Sequence, residues 1–385
     1  MSEIKVNSIK GVGASAAAIT VNNTDGTCTA NITNNLSNRN KVINGEAQIS
    51  QRGTISNHGT SVLYTAVDRF ATRIGTSYNF DVTTSQSTDT PDGFQNSLKV
   101  TPDSTSTPSG SANGGIQTKL EGQDLQDFAF GTSSAKPMTF SFYAKSGSAG
   151  AGTYSIEFQY KNASGSVYHQ TRAFTLTTSW QRFTFTLEAN GTATSEVIVN
   201  NNTIGLTIIW HLASGDDDKT SAITTWTSTG AMKTITGMDN FMSSTSNELY
   251  LTGVQLEVGS VATDFEHRSF AQELALCERY FEKSYNYSTV AGTATDSGLV
   301  MWLANRNPGL PHTSLRYKTP KRANPTVTIF NTNTADSNTL RDKDTSTDLT
   351  PQVTRLGDSG CTIHTNTSVA LGNFIAYHYT ADSEL

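Results

Sequence analysis

The chain has 385 residues, 35% of them hydrophobic and only 16% charged, with a formal net charge of -6. Ser, Thr, Asn and Gly fill the difference, which is the composition of a β-rich protein with many turns and hydroxyl-bearing faces. Lys and Arg are scattered and not gathered into a basic stripe, which excludes nucleic acid as a partner, and no run of about 18 apolar residues exists to insert into a membrane.

Length allows two or three domains, each with its own core. The first residues, MSEIKVNSIKGVGASAAAITV, lack the apolar core and charge cluster of a signal peptide. Cys28, Cys277 and Cys361 are far apart and odd in number, so they form neither a disulfide framework nor a zinc-ligand set. The expectation is a chain made in a reducing cytoplasm.

Residues 1–40 read as an extended arm. Ile4 and Val6, Ile19 and Val21, and Cys28, Ala30 and Ile32 alternate with polar residues, and Asn23-Thr24-Asp25-Gly26 is a hairpin signal. Strands this short and few cannot bury a core alone. Ile4, Val6, Ile19, Val21 and Ile32 are therefore the candidate attachment and oligomerisation residues, to be covered by other chains.

From 41 to 265 the pattern is strand after strand. Met138, Phe140, Phe142 and Ala144 form one inward set, and Tyr154, Ile156, Phe158 and Tyr160 a second. Phe183, Phe185 and Leu187 form a third, and Leu206, Ile208, Trp210 and Leu212 a fourth. Period-two alternation with one apolar face requires two packed antiparallel sheets. The alternation slips across Gly253, which predicts a bulge or a close backbone approach there. A helix follows over 269–281, with Ser269 as N-cap, Gln272 completing a capping box, and Phe270, Leu274, Cys277 and Phe281 on one face. The predicted unit, 41–288, is an all-β antiparallel β-sandwich, a jelly roll, closed by that one short helix.

A second, smaller C-terminal β-sandwich domain is predicted over 289–385. Its clearest strands are 299–303, 325–330 and 374–379, and Asp342, Asp344 and Asp348 lie in a polar loop at 331–350. No fixed-period repeat occurs, which argues against a long parallel β-helix.

Candidate chemistry is sparse. Asp216, Asp217 and Asp218 place three carboxylates on one loop and are the candidate Ca²⁺ ligands, although their spacing matches no EF-hand and Lys219 follows. Glu257, Asp264 and Glu266 beside Arg268 read as ion pairs and caps rather than the opposed carboxylates of a glycosidase. The seven histidines show no metal-ligand spacing, and no GxSxG elbow occurs, so no catalytic residue is assigned and the expectation is a non-enzyme without a cofactor. Aromatic faces flanked by polar groups suit sugars: Trp226 is the first candidate and Tyr168-His169 the second, with a plug at a sheet edge or subunit interface as the equal alternative for Trp226.

Three groups of residues carry a resemblance: Ile43-Asn44-Gly45 with Gln51-Arg52-Gly53, Asp68-Arg69-Phe70, and the run GVQLEVGSVATDFEHRSFAQELALCERYF at 253–281. Over roughly 41–285 the chain resembles a module of tail-fibre and other appendage proteins of tailed bacteriophages. The resemblance implies a carbohydrate-binding-module-like jelly roll on a virion, adhesion to host surface polysaccharide, and a homotrimer joined to other virion structural proteins through the N-terminal arm. The alternative is a capsid or tail decoration or connecting protein that binds only virion neighbours.

Overall fold

The computed structural model describes residues 8–10, 19–21, 28–30, 38–57, 63–75, 78–191, 197–228, 233–304 and 312–385. Strands β1 (Ser8–Ile9), β2 (Ile19–Val21) and β3 (Cys28–Ala30) form a small antiparallel sheet of their own, in the order β1-β2-β3. Ile19 and Val21 lie on β2, half-buried. Ile4, Val6 and Ile32 lie outside the described residues.

The main body uses β4 (Ile55–Asn57), β5 (Phe70–Gly75), β6 (Val82–Ser87), β7 (Ser97–Pro102), β8 (Asn113–Glu121), β9 (Met138–Ser146), β10 (Gly152–Lys161), β11 (Val167–Leu176), β12 (Gln181–Leu187) and β13 (Ile204–Ser214). A short parallel pair, β14 (Lys219–Thr220) and β15 (Thr234–Ile235), precedes the long strand β16 (Leu249–Val258). One sheet has five strands in the order β11-β10-β13-β8-β5, and the other has six in the order β12-β9-β16-β7-β6-β4. Their inner faces share one core, with Phe140, Phe142, Phe158 and Trp210 buried at its centre. Phe142 meets Trp210 edge-on at 5.6 Å and Phe174 at 5.6 Å, an arrangement that adds about 0.5–1.5 kcal/mol per pair beyond area burial.

The jelly roll predicted from the alternation is corrected by the pairing. The two sheets stay open: β5 and β11 are the outer strands of one, β4 and β12 of the other, and among the described residues no strand pairs across from sheet to sheet. Among the described residues no sheet curls or closes, and the chain is mostly β-sheet in several distinct sheets, with one α-helix and short 3-10 segments at Gly122–Phe128, Asp216–Asp218 and Phe241–Ser243. Period-two alternation fixes which side chains face the core, but it is blind to which strands exchange hydrogen bonds and whether the edges meet.

The slip in β16 is a bulge. Gly253 has φ +60° and the register against β9 shifts between Thr252 and Gln255. The extra residue lets Leu249 and Leu251 face the core before it, and Val254 and Leu256 after it.

Helix α1 (Phe270–Glu278) is shorter than its sequence pattern, and it buries a different face. The Ser269 Oγ accepts from Gln272 N at 3.3 Å, as a capping residue should. Phe270, however, is 44% exposed and Leu274 only half-buried, while Glu273, Cys277 and Glu278 are covered. The helix is held by polar contacts. Asn44 N donates to the Glu273 carboxylate, which also pairs with Arg268 at 3.4 Å. Phe281 leaves the helix and starts β17 (Phe281–Lys283).

The remaining strands are β18 (Val300–Leu303), β19 (His312–Arg316), β20 (Thr326–Phe330), β21 (Leu340–Asp342), β22 (Thr347–Leu349), β23 (Pro351–Thr354), β24 (Gly360–Thr365) and β25 (Phe374–Asp382). β25 is the spine: β17, β18, β20 and β21 all pair with it. A separate core gathers Trp302, Ile329, Ile363, Ile375 and Tyr377. The polar stretch 331–350 is partly a hairpin of β21 and β22, and Asp342 is buried within it, accepting from the amides of Asp344 and Thr345.

Candidate functional site

The polar runs that carry the motif resemblance fold into a buried clasp. Asn40 Oδ1 accepts from Val42 N and Leu256 N, and Glu266 accepts from Asn40 N at 2.7 Å. Asp68 takes Gln51 Nε2 at 2.6 Å and Gln51 N at 3.1 Å, and the same Gln51 amide reaches Phe281 O at 2.9 Å. Glu257 accepts from Thr263 N and Oγ1. Glu121 receives Arg279 through two 2.9 Å bonds and the Tyr280 hydroxyl at 2.6 Å. Each carboxylate is committed to backbone or to a cation, so these groups fasten the entry strap (38–51), β16 and α1 together and leave none facing an open cleft as an acid–base pair.

The three carboxylates at 216–218 diverge. Asp216 pairs outward with Lys219 at 3.0 Å, whereas Asp218 is buried and accepts from Asn113 Nδ2 at 2.7 Å. The 3-10 turn rotates successive side chains by about a third of a turn, so adjacent carboxylates cannot converge on one ion. Among the described residues no group of His, Cys, Asp and Glu has the arrangement of a metal site.

Trp226 and Tyr168 come together, and His169 does not join them. Tyr168 stacks on Tyr160 at 5.2 Å with an 8° interplanar angle, and Trp226 meets Tyr160 edge-on at 4.9 Å and Phe130 at 5.9 Å. Trp226 Nε1 donates to Glu188 O at 2.8 Å. The indole is partly buried and packs against the core beside the edge strand β11. His169 points to the opposite face of β11, into a buried cluster where Glu157 takes His211 Nε2 at 2.8 Å and Gln159 Nε2 at 2.7 Å.

A second aromatic and charged array, which the sequence reading did not single out, covers the outer face of the six-stranded sheet. Register sets it out: Tyr250 lies between Lys99 of β7 and Lys145 of β9, and one step along, Thr252, Tyr143 and Arg182 share a row. Trp180, in the turn before β12, reaches the first row, 6.4 Å from the Tyr250 ring. Lys145 Nζ stands 5.6 Å from the Trp180 centroid and 5.1 Å from that of Tyr250. Asp89 binds both neighbours, accepting from Lys145 Nζ at 2.6 Å and Trp180 Nε1 at 3.2 Å. Glu248 mirrors it, with Lys99 Nζ at 2.6 Å and the Tyr250 hydroxyl at 3.1 Å.

The charges of this face are fixed by these contacts. Desolvation raises the Asp89 carboxyl, but the bonds from Lys145 and Trp180 outweigh it and hold it below the ordinary carboxylate range. The Lys99 hydrogen bond does the same for Glu248, and in return the Glu248 bond raises Lys99. Two carboxylates, two lysines and a half-buried indole thus stand side by side on the outer face of one sheet. The sequence did hold a signal: Tyr143, Lys145 and Tyr250 occupy outward positions of strands whose inward residues are plain. Trp180 lies in a turn, where strand alternation assigns no face.

The chain matches no family model and no curated protein. Among solved structures it is similar to the CBM22-1 xylan-binding domain from Paenibacillus barcinonensis Xyn10C, at 11% identity and TM-score 0.27, over 55% of this chain and 99% of that one. It is similar to a family 11 carbohydrate-binding module of Clostridium thermocellum at 12% identity and TM-score 0.28, over 57% and 100%. It is also similar to the enzymatically active domain of bacteriophage CBA120 tailspike protein 4 at 10% identity and TM-score 0.28, over 57% of this chain but 21% of that one. All three TM-scores lie below 0.5.

Proposed function

We propose that this chain is a non-catalytic adhesion protein of a phage virion, tail-fibre-like, that holds host surface glycans on the outer face of its six-stranded sheet. The observation that carries the reading is the Trp180, Tyr250, Lys145 and Asp89 array. An indole face beside ionised hydrogen-bonding groups meets both needs of a sugar, an apolar ring surface and a polar rim. The motif resemblance over 41–285 supports the virion setting. Weak single-site binding is multiplied when several copies act on one particle, and the arm, residues 1–40, is the proposed seat of trimerisation and attachment.

A glycan array probed with purified protein and with Trp180→Ala tests the reading. Single-site affinity in the range of about 0.1–1 mM, lost in the variant, is the expected result. Release of new reducing ends from host polysaccharide would overturn the non-catalytic part.

A second reading, a connecting or decoration protein, is favoured by the apolar outer face of the last sheet. Leu303 lies opposite Phe374 there, and both are exposed, as is Met301. Silence on an array that includes host surface glycans would select it. Deleting residues 1–38 and measuring mass by light scattering separates the arm's role from either reading.

A further inference from the structure

An open groove of about 480 Å³ lies between the entry strap, the 3-10 segment Gly122–Phe128 and α1, well within the size range of small-ligand sites. Its apolar lining comes from Ile43 and Leu276, and the rest is polar. The cations that line it are already engaged. Lys41 Nζ is 2.7 Å from Asp127, and Arg268 is tied to Glu273 and to the carbonyls of Asn40 and Val42.

The acceptors are not all engaged. Gln123 and Gln126 spend their Nε2 groups on Glu121 and on the carbonyls of Gly122 and Ile198, so their side-chain oxygens remain to accept. Among the described residues, the side-chain amides of Asn38 and Gln272 and the carboxylate of Asp124 carry no hydrogen bond or ion pair. The groove is thus rich in planar acceptors and has one carboxylate, Asp124, with no direct partner; burial and the neighbouring Glu121 charge raise it, and Arg279, Lys41 and Arg69 oppose this only at longer range.

We infer that this groove is a binding site for an amino sugar, with Asp124 receiving the ammonium group and the amides of Asn38, Gln123, Gln126 and Gln272 taking the ring hydroxyls. The inference is independent of the Trp180 face, which lies on a different surface, and each can fail alone. A charge-assisted hydrogen bond contributes more than a neutral one, so the ammonium should dominate selectivity.

Saturation-transfer difference NMR with glucosamine, glucose and lysine methyl ester on the full chain tests it. Glucosamine should bind at least about tenfold more tightly than glucose, as one charge-assisted bond gives, and Asp124→Asn should erase that difference. Trp180→Ala should leave it unchanged. Gln272→Ala, an exposed position on α1, should weaken both sugars alike without affecting the fold. Equal transfer to glucose and glucosamine, or no transfer to either, would overturn the assignment. Tighter binding of lysine methyl ester than of glucosamine would also overturn it, and would make the occupant a basic protein side chain.

Discussion

Arg69 lays its guanidinium 3.4 Å from the Tyr280 ring centroid while its tip pairs with Glu384. Two segments far apart in sequence meet there: the Asp68-Arg69-Phe70 turn, with Arg69 at φ +73°, and the residues that follow β25. Arg52 joins from the other side, 3.2 Å from Glu384 and 3.8 Å from the centroid of Phe281. Burial raises the Glu384 carboxyl, and the two guanidinium groups oppose that rise. The first β unit and the second are thereby joined through buried charge.

The first prediction concerns that pair. Arg69→Met should cost about 3–5 kcal/mol in urea unfolding, because Glu384 would stay buried with half its compensation gone. The double variant Arg69→Met with Glu384→Gln should recover much of that loss, since replacing a whole buried pair is often close to neutral. Equal losses in single and double variants would show that the stacking on Tyr280, and not the charge, does the holding.

A second prediction separates the two accounts of α1. Leu274→Ala should cost only about 1 kcal/mol, since a half-buried leucine gives up roughly half of a full side-chain transfer. Glu273→Ala should cost more, about 1–3 kcal/mol, because it leaves Asn44 N–H without an acceptor and takes from the Arg268 guanidinium its carboxylate partner. The reverse order in thermal or denaturant unfolding would restore the apolar face read from the sequence.

That inversion shows what was legible and what was not. Sheet alternation was readable because each core strand repeats one decision: Phe140, Phe142, Ile156 and Phe158 all turn inward, and all are fully buried. Ser269 as a cap and Gly253 as a bulge were readable because each rests on local geometry. Openness of the sheets was not, because edge pairing is a long-range outcome. Neither was the helix face, because Asn44, whose amide holds the Glu273 carboxylate, lies more than two hundred residues upstream. The Trp180 array likewise depends on register between β7, β9, β12 and β16, which no single stretch encodes. Trp226 was chosen as a loop aromatic, yet whether an indole faces solvent or a core is decided by what lies beneath it, here Tyr160 and Phe130.

His378 provides a pH-dependent prediction. It is buried, stacked on Tyr285 at 3.8 Å, with Nδ1 2.9 Å from Ser284 Oγ and Nε2 3.0 Å from Thr295 O. The Thr295 carbonyl can only accept, so Nε2 carries the hydrogen, and in the neutral ring Nδ1 accepts from the Ser284 hydroxyl, whose oxygen also accepts from Tyr379 N. Desolvation lowers its pKa below the ordinary value of 6.5, and the Thr295 bond only partly offsets this. As pH falls below about 6.5 the unfolded chain takes up a proton before the folded one does, so this group removes stability on acidification. Unfolding free energies of wild type and His378→Gln between pH 7.5 and 5 should therefore converge as pH drops. A constant gap across that range would mean the ring does not titrate differently in the two states.

The last prediction returns to Gly253, where backbone and candidate glycan face meet. Its φ of +60° is costly for any residue with a Cβ, and a Cβ there would stand 2.7 Å from the Tyr143 ring and 2.9 Å from that of Phe94. Those rings, 5.3 Å apart, close over the bulge beside the Trp180 array. Gly253→Ala should thus destabilise the fold by about 2–4 kcal/mol, combining left-handed strain with overpacking. It should also displace Tyr143 and weaken any sugar held on that face, whereas Gly237→Ala, at φ +80° with open space around its Cβ position, carries the strain alone and should cost less. Calorimetry on both variants decides the matter: equal losses would mean that the two rings yield freely, and that the bulge serves only to keep Val254 and Leu256 in the core.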